Sequence, residues 1–290
     1  MKICRFNHDR IGVVKNDVVL DVSHYFDREA KWPFPQGDWI IQQVPRLRTE
    51  LEAASPQNCK VLAVSEVRFE SCVANPGKII GAPINYKAHI EEANADQQIS
   101  HGHTFTTLER YGLFIKASSS LIGVSEVVEQ RFEDRRTDHE VELAVVIGKT
   151  AKMVSKAQAL DYVLGYAVGL DMTVRGQEWP GFRKSVDTYA VLGPWFVTAD
   201  EIADPNALDL SLSVNGEQRQ RSNTSHLIMN VQRLIEYASS FYTLYPGDVI
   251  MTGTPEGVGP VQPGDLIEAE IESVGQIEVR VASAYAHAGA

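Results

Sequence analysis

The stretch Asp138-His139-Glu140-Val141-Glu142-Leu143-Ala144-Val145-Val146-Ile147-Gly148 sets two carboxylates inside what otherwise reads as a buried strand. A strand's period of two puts Glu140 and Glu142 on one face with Ala144, and Val141, Leu143, Val145 and Ile147 on the other, which is a core face. Like charges two residues apart on a strand lie about 6 to 7 Å from one another, and a sheet holds them at low cost only at a wet edge or around a cation. Paired carboxylate oxygens suit a hard divalent ion, Mg²⁺ or Mn²⁺ with Ca²⁺ also open, better than Zn²⁺ without His or Cys support. From these residues alone two readings stand: an exposed pair on a half-solvated strand, and a metal-binding pair.

Charge narrows the partners. A net charge of −11 and a pI near 5.2 argue against a nucleic-acid surface, which needs concentrated Lys and Arg. Cys4, Cys59 and Cys72 fit neither a disulfide framework nor a zinc motif, and read as reduced thiols. The N-terminus carries no apolar signal segment and no run approaches the ~20 apolar residues of a membrane span, so a cytoplasmic protein with no membrane partner is expected.

Along the chain, β signals at Lys2 to Phe6, Ile11 to Val14 and Val18 to Val22, a helical patch near Val44 to Ala54 and a strand at Lys60 to Val64 read as a small N-terminal domain, 1–74. Asn75-Pro76-Gly77 marks the boundary to a larger domain, 75–290, that opens on the strand Lys78 to Ala82. From Tyr86 to Arg110 no hydrophobic period is visible, and the segment reads as a long mobile loop of the kind that forms lids. His89 and Glu92 share a face if that segment turns helically, where the carboxylate orients the imidazole as a general base; pairs at this spacing also occur as solvated surface contacts. Gly165 to Leu170 is a small apolar strand that delivers Asp171 at its end, either a turn residue or a third oxygen ligand, with the cations Arg175 and Lys184 close behind. Ser155-Lys156-Ala157-Gln158 is a capping box, Asn215-Gly216 predicts a tight hairpin, and Asn230 caps a helix carrying Val231, Leu234, Ile235, Ala238 and Phe241. Thr252 to Gly259 is glycine-rich without the spacing of a phosphate loop, and reads as a tight surface loop.

Together these segments resemble the fumarylacetoacetate hydrolase family over roughly residues 76–281. The family's acidic residue, x, Glu-x-Glu-Leu-Ala run is similar to Asp138 to Gly148, and its strand-end Asp followed by Arg to Asp171 and Arg175. Its Lys-Ser-x-Asp-Thr through Leu-Gly-Pro-Trp is similar to Lys184 to Thr188 and Leu192 to Trp195, and its Pro-Gly-Asp to Gly-Val-Gly motif to Pro246 through Gly259. The chain departs from many relatives at Glu178, where they carry a Gln that here stands at 177, and at Lys116-Ala117-Ser118-Ser119.

The resemblance implies an α+β fold, mostly β, with a mixed β-roll catalytic domain that is usually dimeric. It implies Mg²⁺ or Mn²⁺ on Glu140, Glu142 and Asp171, and His89 with Glu92, within Asn85-Tyr86-x-x-His89-x-x-Glu92, as a water-activating dyad on a lid. Lys184 would stabilise charge, while Tyr86, Arg175, Gln177 and Thr254 would contact the substrate. The expected reaction is hydrolysis of a C–C bond in an acylpyruvate, a small 2-oxo acid: water attacks the 4-carbonyl and pyruvate enolate leaves, stabilised by the ion and Lys184. Isomerisation, tautomerisation or decarboxylation of a 2-oxo diacid is the alternative.

Overall fold

The alternation in Val141–Ile147 becomes a strand buried on both faces. Val141, Leu143, Val145 and Ile147 enter one apolar core, Ala144 and Val146 another, so this strand offers no wet face to a carboxylate. Each fully buried Val, Leu or Ile contributes about 1.5 to 3 kcal/mol relative to exposure, which fixes the strand's position and register.

The computed structural model describes residues 1–30 and 32–285. Its architecture is mixed α+β. The central sheet has 12 strands, in the order Lys60–Ala63, Val18–Asp21, Arg10–Lys15, Lys2–Phe6, Ala190–Thr198, Val163–Asp171, Val141–Ile147, Val249–Met251, Ile79–Gly81 and Phe114–Lys116, with Phe69–Glu70 and Leu121–Ile122 added at its side. Most pairs are antiparallel; Val249–Met251 with Ile79–Gly81 is parallel. A 5-stranded sheet that includes Asp209–Val214, Leu266–Ile271 and Gly275–Ser283 packs through Leu210, Ile267 and Val279 onto the first core. The Val231–Phe241 helix adds Val231, Ile235 and Ala238 to the same core, and the Asn230 side chain accepts from the Arg233 N–H at its start.

The N-terminal strands extend the central sheet: Lys2 pairs with Val197, Ile3 with Phe196 and Cys4 with Trp195. The boundary expected at 74/75 lies in the connection between Phe69–Glu70 and Ile79–Gly81, where the buried Asp38 carboxylate accepts from the Ala74 and Asn75 N–H groups at 2.9 and 2.8 Å. Asn215 and Gly216 take φ of 53° and 77°, as a type I′ hairpin requires. All three cysteines are free thiols.

Three local expectations are corrected. The segment read as a loop from Tyr86 to Arg110 is helical over Lys87–Ala95, Gln97–Ser100 and Leu108–Tyr111. The first of these helices buries His89 and Ala93, one polar and one small, so its inward face leaves no apolar period. Ser155 precedes a 3₁₀ turn, Lys156–Tyr162, and its hydroxyl meets the Gln158 side chain at 3.0 Å, so no capping box forms. The glycine-rich segment is not a surface loop: Thr252 and Thr254 are buried.

Candidate active site

Glu140 lies at the joint between the Thr137–His139 and Val141–Ile147 strands, and Glu142 sits within the latter. The neighbouring antiparallel strand places Gly169 opposite Glu142 and sets Asp171 beside Glu140, whose carbonyl accepts from the Asp171 N–H at 2.9 Å. Carboxylate oxygens of Glu140, Glu142 and Asp171, all buried, lie within 4.8 Å of one another.

Cations offset this cluster unevenly. Lys184 donates to Glu140 Oε2 at 2.6 Å, Asp171 Oδ2 at 2.7 Å and Thr173 Oγ1 at 2.7 Å. Arg175 bridges Glu140 Oε1 at 2.9 Å and Asp138 Oδ2 at 2.8 Å, and Arg136 holds the other Asp138 oxygen at 2.6 Å. Lys116, fully buried, contacts Asp171 and donates to the Tyr189 carbonyl at 2.9 Å. Burial opposes the Glu140 charge, but Lys184 and Arg175 overcome it and hold that carboxyl well below its usual range. For Glu142, burial first and Asp171 next push the carboxyl well above its usual range. Its contact is the Gly253 N–H at 2.6 Å, and among the described residues no Lys or Arg nitrogen reaches it within 4.0 Å.

A buried carboxylate without a contacting cation, beside two more carboxylates, fits a bound divalent ion. The donors are all oxygen, which selects a hard ion of the Mg²⁺, Mn²⁺ or Ca²⁺ kind over Zn²⁺.

Over the cluster, His89 Nδ1 donates to Glu92 Oε2 at 2.9 Å, and Glu92 Oε1 accepts from the Gly257 N–H at 2.9 Å. His89 is 5% exposed and lines a cavity with the three carboxylates, Arg175, Lys184 and Thr254. The cavity's empty volume, with the open solvent at its mouth included, is about 530 Å³. Ile84, Ile99, Phe105 and Phe114 supply apolar wall. Ile84 takes φ of 45°, a costly conformation for a β-branched residue, held by the neighbouring Asn85 amide, which bonds the Met229 and Thr252 carbonyls at 2.9 and 2.8 Å.

Two expected contact residues are not among the side chains that line the cavity. Gln177 is exposed and does not line the cavity, and Tyr86 is buried with its backbone bridged to Leu227 and its hydroxyl unpartnered. Arg183, one residue before Lys184, lines the cavity instead. Its Nε donates to the Glu178 carbonyl at 2.7 Å, and among the described residues it has no carboxylate partner. Arg183 was not singled out from the sequence, and Lys116 entered there only as the first residue of the Lys116-Ala117-Ser118-Ser119 segment, without a role at the site.

Residues 78–282 match the family model described as fumarylacetoacetate (FAA) hydrolase C-terminal. Maleylpyruvate hydrolase of Aquipseudomonas alcaligenes is 53% identical over 287 residues, 98% of this chain and 100% of that protein. Oxaloacetate tautomerase of Rattus norvegicus is 38% identical over 254 residues, 82% of this chain and 78% of that protein. The crystal structure of maleylpyruvate hydrolase from Sphingobium sp. SYK-6 in complex with manganese(II) and pyruvate superposes with a TM-score of 0.84 at 39% identity, covering 98% of this chain and 99% of that one.

Proposed function

The chain belongs to the fumarylacetoacetate hydrolase family, and from that premise we propose that it is a divalent-metal-dependent hydrolase cleaving the C3–C4 bond of acylpyruvates, 2,4-dioxo acids of the maleylpyruvate type. The observation that carries this reading is the Gly257–Glu92–His89 chain of hydrogen bonds aimed at a cavity floored by the carboxylate cluster, because hydrolysis needs a positioned base for water.

Glu140, Glu142 and Asp171 would hold the ion, proposed to be Mg²⁺ or Mn²⁺. Bound there, it supplies Lewis-acid polarisation of the substrate's 2-oxo acid end. Glu92, fixed by Gly257, holds His89 with its Nδ1–H donated and the Nε2 lone pair free, so Nε2 takes the proton of the attacking water. The water oxygen bonds to C4, the C3–C4 electron pair departs with C3 as pyruvate enolate, and the proton passes from His89 to C3. Lys184, held in place by Glu140, Asp171 and Thr173, sets a positive charge where the leaving group's negative charge develops. Arg183, without a carboxylate partner, is free to take a second carboxylate at the substrate's far end. The helices over 87–111 act as the lid: Ala93, Ile99 and Phe105 face the cavity and exclude bulk water.

Isomerisation, tautomerisation or decarboxylation of a 2-oxo diacid would use the same carboxylates, and the relative from Rattus norvegicus carries a tautomerase name. Product identification separates the classes. With a 2,4-dioxo acid and a divalent ion the expected products are equimolar pyruvate and a second carboxylic acid; CO₂ or a product of unchanged mass overturns the proposal. We also place the enzyme in the cytoplasm as a homodimer, the latter supported by the exposed Trp179 and Phe182 beside the cavity-lining Pro180 and Arg183. Sedimentation as a monomer at working concentration would contradict it. Among the described residues no helix is long and apolar enough to cross a membrane.

A further inference from the structure

We propose that Gln220 is a positioning residue that fixes Thr254 as a hydrogen-bond donor to the bound 2-oxo acid and ties it to the peptide between Glu140 and Glu142. Gln220 lies on the Glu217–Asn223 strand and is fully buried. Its Oε1 accepts from the Val141 N–H at 3.1 Å and meets His139 Nδ1 at 3.2 Å. Its Nε2 donates to Thr254 Oγ1 at 2.8 Å and to the Pro255 carbonyl at 2.9 Å.

Two backbone groups dictate this orientation. An N–H can only donate, so Val141 requires the amide oxygen; a carbonyl can only accept, so Pro255 requires the amide nitrogen. Rotating the amide would set N–H against N–H and oxygen against oxygen in a dry site. His139 must then donate from Nδ1, and all four of the amide's bonding positions are used. With both its hydrogens fixed, Gln220 donates to Thr254 and never accepts from it. The Thr254 hydroxyl hydrogen is left to the cavity that Thr254 lines, where it can meet only an acceptor. A substrate carboxylate or keto oxygen is such an acceptor. Val141 is the residue between Glu140 and Glu142, so one side chain sets the spacing between the carboxylates and the donor facing the substrate.

The inference rests on the proposed function for the nature of the bound acid, and a double-mutant cycle tests it separately. Oxalate binding to the Mn²⁺-loaded protein is measured by calorimetry for the parent, Gln220→Met, Thr254→Val and the double variant, with circular dichroism and Mn²⁺ titration as folding controls. A lost hydrogen bond to a charged group predicts weakening by roughly 10- to 100-fold for each single variant, with little further loss in the double variant. In turnover the loss is expected in KM more than in kcat. Gln220→Glu, which keeps the acceptor for Val141 and His139 but draws the Thr254 hydroxyl hydrogen to itself, serves where the Met variant does not fold, and is expected to weaken oxalate as Thr254→Val does. Losses that multiply in the double variant, or a Gln220→Glu protein that binds oxalate like the parent, overturn the inference and leave the proposed function standing. Failure of the parent to cleave acylpyruvates while this coupling persists overturns only the proposed function.

Discussion

Glu92→Gln tests how the base is set. Gly257 N–H reaches Glu92 Oε1 at 2.9 Å, so an amide at this position must turn its oxygen there and its NH₂ toward His89 Nδ1. Nδ1 can then only accept, the proton moves to Nε2, and the nitrogen facing the cavity loses the lone pair that hydrolysis needs. The opposite amide orientation sets N–H against N–H and costs about 1 to 3 kcal/mol, a penalty of roughly 5- to 150-fold. A positioned base is worth about 10² to 10⁴ in rate, or about 2.7 to 5.4 kcal/mol. The expected fall in kcat therefore lies between roughly 5-fold and 10⁴-fold, bounded below by the cost of rotating the amide. Glu92 bonds none of the three clustered carboxylates, so affinity for the ion and KM should stay near those of the parent. Glu92→Ala frees the imidazole without imposing a tautomer and is expected to retain more activity than Glu92→Gln. Steady-state cleavage of a 2,4-dioxo acid at saturating divalent ion provides the assay. Parental kcat in Glu92→Gln, or an Ala variant slower than the Gln variant, refutes the tautomer argument.

Glu142→Gln should abolish tight Mn²⁺ binding in calorimetry and raise the melting temperature of the metal-free protein at neutral pH. Burial and Asp171 raise the Glu142 carboxyl above its ordinary value. Stability from its protonated form is therefore present below that ordinary value and lost as pH rises through the raised one. A metal-free Gln variant that melts below the parent contradicts this. Arg183→Gln is expected to raise KM by roughly 10- to 100-fold for acylpyruvates bearing a far carboxylate, and to leave monocarboxylate analogues unchanged; equal effects on both would remove Arg183 from recognition of the far end. Amide hydrogen exchange across 87–111 should slow when oxalate binds the metal-loaded protein, and exchange that oxalate does not alter would count against a lid.

What could be read in advance was whatever depends on neighbours in sequence. The alternation of Val141 to Ile147, the helix cap at Asn230 and the Asn215-Gly216 turn each follow from one local stereochemical rule, and the structure has them. The carboxylates were legible because charge in an apolar run has few explanations, and burial on both faces removes the wet-edge one. The helix bearing His89 was not legible as a helix, since its buried face spends its positions on His89 and Ala93. Ala190–Thr198 crosses the middle of the sheet although Gly193-Pro194 punctuates it; a shift of register against Ala167 and Val168 absorbs the interruption. Lys116 and Gln220 acquire meaning only from Asp171 and Thr254, partners far away in the chain that no local pattern announces. The loop from Thr252 to Gly259 was misplaced for the same reason, because its Gly253 and Gly257 N–H groups serve Glu142 and Glu92.

Hydrolysis by a His89-activated water is the central claim, and the fate of the water oxygen tests it most directly. A 2,4-dioxo acid is turned over in isotopically labelled water with saturating Mn²⁺, and the products are resolved by mass. One labelled oxygen is expected in the carboxylic acid formed from the C4 carbonyl, in amounts equal to the pyruvate released, with both products lost together in His89→Ala. Pyruvate formed without label in its partner acid, or CO₂ release undiminished by His89→Ala, would contradict the account.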